Sequence, residues 1–455
     1  MDKIQLLEAR KAAILEAGKE IRQDIALLVD SESFVELSAF SFSKNSFADV
    51  DVAGEGVVTG FATIDGNAFY VIAQNFKVLQ GGVSKANCDK MIKCMDMAAK
   101  DGTPIVYLLN TCGVQVGEGV GVLEGLAKLL LRASQLKGVV PQYVIVNGDV
   151  YGSVAALAAA ADATLFVEKK SVLAINSPFV LSAKAGKNLA KEDVGGVKAL
   201  NNTGLASISV ASLEEAKQMI LQLYDIVCAR MVDAELNTSL PALNEATTAE
   251  NMLSVFESCV ELGANTCSEV KTILGRVGGI SVAAILFDGG VDGVALNASN
   301  LAKIRSFTEY AGYLSLPLIV LANVGGIEPT MCANNSRAMK EVVEYLEYLD
   351  QVEGGKVSVV YGKAIGLGYT LFASKSVGFD YTCAFANAKI ALFDSVQGGQ
   401  IELAGEGADK AALAAKYADE NADPINAAQG GYIDAIIEPQ FVRQYLISSL
   451  QMLVK

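Results

Sequence analysis

The chain has 455 residues, of which 52% are apolar and 19% are charged, and its formal net charge is −15. This length and composition predict two to three well-packed globular domains and exclude a disordered or fibrous protein. The acidic balance argues against nucleic-acid binding, although an anionic small molecule would need only a local positive site.

Histidine is absent from the sequence, which excludes Ser-His-Asp and Cys-His catalysis and the common histidine-containing metal sites. The eight cysteines include no CxxC pair, so we expect reduced, mostly buried thiols and no metal site. Catalysis would therefore depend on backbone dipoles, carboxylates, lysine, tyrosine or the groups of a ligand.

The chain begins with a charged amphipathic helix pattern, MDKIQLLEARKAAILEAGKEI, without the apolar core of a signal peptide. Strands are predicted over FYVIAQNF, PIVYLLN and QYVIVNG, with long amphipathic helices between them. A turn over Asn147–Ser153 then leads into a very apolar helix predicted for residues 154–167. This stretch is short and contains Asp162, so no membrane insertion is predicted and we expect a cytoplasmic protein.

The second half of the chain repeats this order, with strands predicted over VAAILFDG, PLIVLAN and VSVVYG. Two motifs and one lysine mark the repeat: Asn110–Gly113 and Asn323–Gly326, Gly148–Gly152 and Gly362–Gly366, Lys90 and Lys303. The pattern predicts a duplicated α/β protein with a mainly parallel sheet in each half. Residues 231–248 are the predicted linker between domains at 1–235 and 250–455.

The turns after the third predicted strand of each half are the best candidates for a functional site. They are Asn147–Ser153 and Gly366-Leu367-Gly368, and each precedes a predicted helix. Free backbone N–H groups at a helix start, beside glycine that lets a ligand approach, suit an oxyanion hole. The alternative is a purely structural turn, but two copies favour a site for two enolate-like oxygens.

Three other motifs are weaker candidates. Cys112 has no accompanying base, which favours a structural thiol over a nucleophile. The glycine-rich run at residues 117–125 only partly matches a dinucleotide fingerprint. Ala338-Met339-Lys340 resembles a biotin attachment site but lies in a helical pattern, so any biotin would come on another protein.

Six motifs, taken in order, resemble those of the biotin-dependent acyl-CoA carboxyltransferases. This crotonase-superfamily group includes propionyl-CoA and acetyl-CoA carboxylase β subunits and methylmalonyl-CoA and glutaconyl-CoA decarboxylase α subunits. The motifs are LLVDSESFVEL, GEGVVTGFATIDGNAFYVIAQNF, VLQGGVSKANCDKM, SPFV, DVGGVKALNNTGLA, and ADPINAAQGGYIDAIIEP with Arg443. The resemblance implies two tandem crotonase-like (ClpP/crotonase) ββα-superhelix domains, with acyl-CoA on the 1–235 side and biotin on the 250–455 side.

By the same resemblance, a first oxyanion hole falls on Gly152 and Ser153 and holds the acyl-CoA thioester. A second falls on Leu367 and Gly368 and holds the biotin ureido carbonyl. Flanking substrate contacts are implied at Gly81, Gly82, Cys112, Gly113, Gly325, Gly326, Gly366, Tyr369 and Thr370. The acids and bases of such a reaction belong to the cofactor, which agrees with the absence of histidine.

The resemblance also implies partners. These are a biotin carboxyl carrier protein, together with a biotin carboxylase or membrane decarboxylase subunits. The two holes would face each other across a homo-oligomer, a dimer within a hexamer.

The sequence departs from the family at three motifs. Where the family has DSGGAR, GPCAGGA and AYGGAYD, this chain has Asn110–Gln115, Gly148–Val154 and Ala364–Thr370. The backbone N–H groups survive such substitutions, whereas the Ser153 and Leu367 side chains narrow the approach. Four interpretations stay open: a carboxyltransferase, a sodium-pump decarboxylase subunit, a structural subunit with lost catalysis, and another CoA chemistry such as thioester hydrolysis.

Overall fold

The computed structural model describes residues 2–45, 50–200, 205, 207–236, 238–402 and 409–454. The chain divides into two compact units, Met1–Tyr224 and Asp225–Lys455. The boundary falls within a helix, and residues 231–248 are counted with the second unit. No helix in the described ranges has the length and apolar character needed to cross a membrane.

The first unit alternates strands and helices as the sequence predicts. Its described strands are β1 Val35–Leu37, β2 Phe42–Asn45, β3 Val50–Ala53, β4 Val57–Ile64, β5 Asn67–Gln74, β6 Ile105–Thr111, β7 Gln142–Tyr151, β8 Ala163–Val167, β9 Val172–Ala174 and β10 Ser207–Val210. Its described helices are α1 Lys3–Ala17, α2 Lys19–Leu28, α3 Lys85–Asp101, α4 Gly121–Gln135, α5 Leu157–Ala160, α6 Pro178–Ala185, α7 Lys191–Gly195 and the boundary helix α8 Leu213–Cys228.

One sheet organises this unit, in the order β1-β4-β5-β6-β7-β8-β10, with β9 also paired to β7. The β1–β4 and β4–β5 pairs are antiparallel, and the strands from β5 onwards are parallel. Asp65 and Gly66, both with positive φ, form the two-residue turn between β4 and β5. This Asp-Gly pair is the sequence signature of a type I′ hairpin.

The second unit has its own set of elements. Its described strands are β11 Cys259–Leu262, β12 Val270–Val277, β13 Ile280–Phe287, β14 Val294–Leu296, β15 Leu318–Ile327, β16 Lys356–Ile365, β17 Tyr381–Phe385, β18 Lys389–Ala391 and β19 Ala435–Ile437. Its described helices are α9 Ala242–Glu245, α10 Ala249–Met252, α11 Ala298–Leu314, α12 Met331–Asn334, α13 Ala338–Asp350, α14 Leu367–Phe372, α15 Ser395–Glu402, α16 Lys410–Asn421, α17 Pro424–Gln429 and α18 Val442–Leu453.

The sheet of the second unit has the order β11-β12-β13-β15-β16-β17-β19, with β18 also paired to β16. Each strand along this path has a counterpart in the first sheet, including the antiparallel hairpin, whose turn here is Gly278-Gly279. The matching strand orders confirm the predicted duplication and the α/β class. Helix α13 also confirms that Lys340 lies in a helix.

The core of the first unit lies between the parallel strands and the helices that connect them. Met91 on α3 and Leu129 on α4 are fully buried, in one apolar cluster with Tyr107 and Val144 from the strands. Strands covered in this way are buried over most of their length, which explains the continuous apolar runs seen in the sequence.

A bulge recurs at the same place in both sheets. Between two paired positions, Asn110 on β6 stands opposite three residues of β7, and Asn323 on β15 stands opposite three of β16. The Asn110 side chain packs against Gly148, where a Cβ atom would lie 2.5 Å from its Oδ1 atom. Asn323 packs against Gly362 in the same way. Each bulge redirects the last residues of a strand towards the start of the next helix.

The apolar helix predicted for residues 154–167 is wrong beyond Ala160. A 3-10 turn, Ser153–Ala156, leads into the short helix α5, and residues 163–167 form the buried strand β8. A continuous apolar run does not distinguish a buried strand from a buried helix, because neither shows an exposed face.

Two predicted turns are continuous with strands instead. Strand β7 extends through the bulge to Tyr151, and β15 extends through Gly325 and Gly326 to Ile327. The reason is pairing with short outer strands: β9 pairs with the end of β7, and β14 with the end of β15.

Candidate functional site

The structure brings Gly113 and Gly152 together at the carboxyl ends of β6 and β7. A Cβ atom on Gly152 would lie 3.6 Å from Gly113 Cα, and one on Gly113 would lie 3.5 Å from the carbonyl oxygen of Tyr151. Gly152 has φ 84° and ψ −167°. Side chains disfavour this conformation, which turns the chain from β7 into the 3-10 turn.

The N–H group of Gly152 is already used within the fold. It donates to the carbonyl oxygens of Ala174 and Ile175, at 3.2 Å each. The next two N–H groups, of Ser153 and Val154, begin the 3-10 turn and have no acceptor among the described residues. The free donors of this turn are therefore those of Ser153 and Val154, one position further along than the sequence indicates.

Two loops meet beside this turn. The N–H group of Cys112 donates to the carbonyl oxygen of Gln80 (3.0 Å), and that of Val83 donates to the carbonyl oxygen of Gly113 (2.8 Å). The Gly113 N–H group donates to Thr111 Oγ1 at 3.1 Å. The predicted loop after β6 is thus fixed to the loop before α3.

Gly81 and Gly82, two of the predicted contacts, lie in that second loop. Gly81 abuts the backbone of Asn110, and a Cβ atom on it would overlap with the carbonyl oxygen. A Cβ atom on Gly82 would lie 2.9 Å from the carbonyl oxygen of Leu79. Both glycines are buried, and their place in the structure is explained by close backbone packing.

The second unit repeats the arrangement with Gly326 and Gly366. A Cβ atom on Gly326 would lie 3.5 Å from the carbonyl oxygen of Ile365, as for Gly113 and Tyr151. The Gly366 N–H group donates to the carbonyl oxygen of Ala391 at 2.9 Å, as that of Gly152 does to Ala174. Gly366 has φ 53° and ψ −117° and directs the chain into α14.

Leu367 and Gly368 are the first two residues of α14, and their N–H groups have no acceptor in the described part of the chain. Gly368 is buried against Val324, where a Cβ atom would lie 2.7 Å from Cγ1. Any side chain at this position would push α14 away from β15. The close packing fixes the two free donors against the end of the strand.

The remaining predicted contacts of the second unit lie around this turn. The Tyr369 hydroxyl donates to the carbonyl oxygen of Tyr432 (3.2 Å), and the Thr370 hydroxyl donates to that of Gly366 (3.3 Å). Burial raises the pKa of Tyr369, so it stays protonated. Gly325 packs on the backbone of Asp292, where an added Cβ atom would lie 2.7 Å from the Asp292 carbonyl oxygen.

One ion pair lies at each bulge. The strand residue of the pair is acidic in the first unit and basic in the second. Asp149 on β7 is paired with Lys191 on α7 at 2.9 Å, whereas Lys363 on β16 is paired with Asp394 at 3.2 Å. Burial alone would raise the pKa of Asp394, but the Val396 N–H group and Lys363 lower it, so this carboxylate is ionised. The pairs fix the strands that precede the two turns.

The Cys112 thiol is exposed beside the first turn. Desolvation nonetheless raises its pKa, which disfavours the thiolate that a nucleophile needs. No group of three or more cysteine, aspartate or glutamate side chains in the described ranges could hold a metal ion.

Part of one sequence motif, residues 201–204 and 206 of DVGGVKALNNTGLA, lies outside the described residues.

The sequence analysis did not identify the role of β9 and β18, whose last carbonyl oxygens accept the Gly152 and Gly366 N–H groups. Three-residue strands leave almost no periodic signal, so only the repeat itself could have indicated them.

The chain matches the family described as "Carboxyl transferase domain" over residues 15–455. It is 27% identical to the methylmalonyl-CoA decarboxylase subunit alpha of Veillonella parvula, over 99% of this chain and 96% of that protein. It is 28% identical to the mitochondrial propionyl-CoA carboxylase beta chain of Homo sapiens, over 95% of this chain and 85% of that protein.

Two solved structures resemble the whole chain. Transcarboxylase 12S, determined as a hexamer with methylmalonyl-coenzyme A and methylmalonic acid bound, superposes with a TM-score of 0.90 at 22% identity, over 98% of this chain and 94% of that one. A single-chain, multi-domain long-chain acyl-CoA carboxylase gives a TM-score of 0.86 at 18% identity, over 98% of this chain and 49% of that one. At these identities the likeness establishes the fold.

Proposed function

The chain belongs to the carboxyl transferase domain family, and from this we propose that it is the carboxyltransferase subunit of a biotin-dependent acyl-CoA carboxylase or decarboxylase. It transfers CO2 between carboxybiotin, held on a separate carrier protein, and the α-carbon of an acyl-CoA. The observation that carries this proposal is the pair of equivalent turns, each with at least two backbone N–H groups that have no acceptor among the described residues. Two such donor sets suit a transfer between two groups that each develop negative charge on an oxygen.

The turn in the first unit holds the thioester. The N–H groups of Ser153 and Val154 donate hydrogen bonds to the thioester oxygen as negative charge develops on it, when the α-proton leaves. The Gly152 N–H group does not donate to the thioester, because it donates to the carbonyl oxygens of Ala174 and Ile175, but the conformation of Gly152 aims the two donors. Donors that are fixed in advance stabilise the enolate without reorganising at the moment of reaction.

The turn in the second unit fits the ureido carbonyl of biotin. Gly368 has no side chain to block the turn, and Val324 fills the space behind it. The Leu367 and Gly368 N–H groups can bind a neutral carbonyl oxygen and bind it more strongly as it becomes negative. Bound carboxybiotin supplies the CO2 and a ureido nitrogen that takes the α-proton, so the chain needs no histidine.

The same site serves both reaction directions. A carboxylase subunit and a decarboxylase subunit match this chain with nearly equal identity, 28% and 27%. Its partners under this proposal are a biotin carboxyl carrier protein with either a biotin carboxylase or membrane decarboxylase subunits.

We further propose that the chain works as a homo-oligomer, a dimer within a hexamer. Apolar side chains are exposed around each turn, including Val116 (78%) and Ile175 (70%) in the first unit and Met331 (73%) and Leu392 (66%) in the second. Exposed apolar groups around a site favour a covering partner. Transcarboxylase 12S, which shares the fold, assembles as a hexamer.

The test is decarboxylation of methylmalonyl-CoA and malonyl-CoA by the purified chain, with and without free biotin. Biotin-dependent loss of the carboxyl group is expected, because free biotin can accept it in place of the carrier. Turnover that does not depend on biotin would indicate another CoA chemistry, such as thioester hydrolysis. A folded protein that neither turns over these thioesters nor binds CoA would contradict the proposal and favour a structural subunit.

A further inference from the structure

The loop before α3 contains three successive residues with left-handed backbone, Leu79, Gln80 and Gly81. Their φ angles are 48°, 53° and 67°. Glycine adopts this conformation at little cost, whereas a residue with a side chain is strained in it. The Gln80 side chain is exposed, so its burial does not offset the strain.

Backbone contacts hold this strained loop against the first turn. The N–H group of Cys112 donates to the carbonyl oxygen of Gln80 at 3.0 Å. Gly113, the next residue after Cys112, packs against Gly152, where an added Cβ atom would lie 3.6 Å from Gly113 Cα. Gln80 is therefore bonded to the segment that lines the turn. Strained backbone that the surrounding structure fixes in this way is concentrated at functional sites.

The second unit shows that the backbone at this position does not require a side chain. The spacing between the repeated residues Lys90 and Lys303 also separates Gln80 from Gly293. Gly293 has the same left-handed conformation, with φ 74°. A Cβ atom on it would lie 2.7 Å from the Gly325 N atom, so this place in the second unit has no room for a side chain.

The two units therefore differ in what they present beside equivalent turns. The first unit has room for a side chain at this position and carries a polar one on strained backbone, whereas the second unit has glycine. Glycine would also satisfy the backbone of the first unit, with less strain. The side chain of Gln80 is thus the feature that needs an explanation, and the fold does not supply one.

Building on the proposed function, in which the first turn holds the thioester, we propose that Gln80 determines which acyl groups the site accepts. Its side-chain amide both donates and accepts hydrogen bonds. The bond to Cys112 fixes the point from which this amide extends. The site therefore favours acyl groups that carry a hydrogen-bonding substituent, such as a hydroxyl group, over plain alkyl groups of the same length.

The test compares the binding of 3-hydroxybutyryl-CoA and butyryl-CoA, which differ by one hydroxyl group. Calorimetry measures both affinities for the wild type, for Gln80→Met, which keeps the length of the side chain but removes the amide, and for Gln80→Gly. Glu32→Met is the matched control, because Glu32 is also exposed and left-handed, with φ 61°. It lies near Asp30, whose carboxylate accepts N–H groups of the β4–β5 turn at the opposite edge of the sheet.

The expected result is that the wild type and Glu32→Met bind the hydroxylated thioester about fivefold more tightly, which is the worth of one hydrogen bond. Gln80→Met and Gln80→Gly should bind both thioesters equally. The thermal midpoint of Gln80→Gly should equal or exceed that of the wild type, because glycine relieves the strain.

A wild type without this preference, or a preference that survives in Gln80→Met, would overturn the inference. A Gln80→Gly variant with a lower thermal midpoint and equally weakened binding of both thioesters would also overturn it, because Gln80 would then act on the fold. A wild type that binds neither thioester would contradict the proposed function itself, and this result is distinct from the others.

Discussion

Ser153 and Leu367 occupy equivalent positions in the two turns, and under the proposed function both act through their backbone N–H groups. Neither residue resembles the one that the family has at this position, yet each retains an N–H group that has no acceptor within the described ranges. A backbone donor survives any substitution except proline. The departures in these motifs are therefore compatible with an intact site.

Two substitutions at Ser153 distinguish a role of its backbone N–H group from a role of its side chain. Proline is tolerated at the first position of a helical turn but lacks the N–H group. We expect Ser153→Pro to lower kcat for decarboxylation by about 10²- to 10³-fold, the cost of removing one oxyanion donor. Ser153→Ala should retain nearly full activity, because its N–H group remains.

Activity is measured with free biotin as acceptor, and circular dichroism confirms that both variants are folded. A Ser153→Ala variant as inactive as Ser153→Pro would implicate the hydroxyl group instead. A fully active Ser153→Pro variant would place the thioester elsewhere.

Asp162 directly precedes β8 and lies away from the turns. Its burial disfavours the charged form of the carboxylate. Its carboxylate accepts the Gln142 N–H group at 2.6 Å, and burial raises its pKa to about 7 despite this bond. An acid with a raised pKa contributes stability that is fully present below its unfolded pKa, near 4. That stability is lost as the pH rises towards 7.

We expect Asp162→Asn to stabilise the chain relative to the wild type more at pH 8 than at pH 5. Asparagine can still accept the Gln142 N–H group but carries no charge to bury. The difference in free energy of unfolding between the variant and the wild type should be larger at pH 8 than at pH 5 by about 2 to 3 kcal/mol. Thermal midpoints of both proteins at both pH values measure it, and other titrating groups cancel in the comparison. A pH-independent difference would show that Asp162 is not the buried titrating group.

At the scale of elements, the two bulges and the two repeated lysines, Lys90 and Lys303, show how closely the two units correspond. Lys90 Nζ donates to the carbonyl oxygens of Gly54 (2.9 Å) and Val57 (2.6 Å), and Lys303 Nζ donates to those of Thr266 (2.7 Å) and Val270 (2.6 Å). Desolvation lowers the pKa of both lysines, that of Lys90 to about 8. The sequence marked these lysines as repeated, but their role depends on carbonyl groups from a distant loop.

The bulge in the second unit can be tested through Gly362. An added Cβ atom would overlap with the Asn323 side chain, which is buried and bonded to the Lys363 N–H group at 3.0 Å. We expect Gly362→Ala to destabilise the chain by about 1 to 3 kcal/mol and to lower the biotin-dependent activity, because the bulge positions Gly366. Gly148→Ala should have the same effect in the first unit.

Gly121→Ala is the matched control, because nothing lies within 4 Å of the added atom. Its thermal midpoint should equal or exceed that of the wild type, while the midpoints of the two bulge variants fall by several degrees. Bulge variants with wild-type midpoint and activity would mean that Asn323 and Asn110 move aside without consequence.

At the scale of the whole molecule, exposed apolar side chains lie near both turns. Val116 is 78% exposed in the isolated chain. An aspartate at an exposed position normally changes stability by less than about 0.5 kcal/mol, whereas a charge buried in an interface is costly. We therefore expect the wild type to have a mass above 47.7 kDa in solution and Val116→Asp to shift it to smaller species.

Light scattering coupled to size exclusion measures both masses. Met452→Asp, at an exposed position near the end of α18, serves as the control and should leave the assembly unchanged. A monomeric wild type, or a Val116→Asp variant with wild-type mass, would contradict the proposed oligomer.

The sequence by itself determined the duplication, the α/β class and the two glycines, Gly152 and Gly366, at which a strand leads into the next helical turn. These depend on local features, namely strand and helix periodicity and glycines at strand ends, and each feature occurs twice. It also excluded histidine chemistry, because the chain contains no histidine. The sequence failed where an apolar run such as residues 163–167 is buried on all sides, since burial removes the pattern that separates a strand from a helix.

Only the tertiary structure decided which backbone donors are free. Gly152 and Ser153 are adjacent in sequence, yet in the described part of the chain the Gly152 N–H group has acceptors and the Ser153 N–H group has none. The difference depends on β9, which follows the turn by some twenty residues and pairs with the end of β7. A hydrogen bond between distant segments leaves no mark in the residues of the turn, because any residue except proline offers the same N–H group.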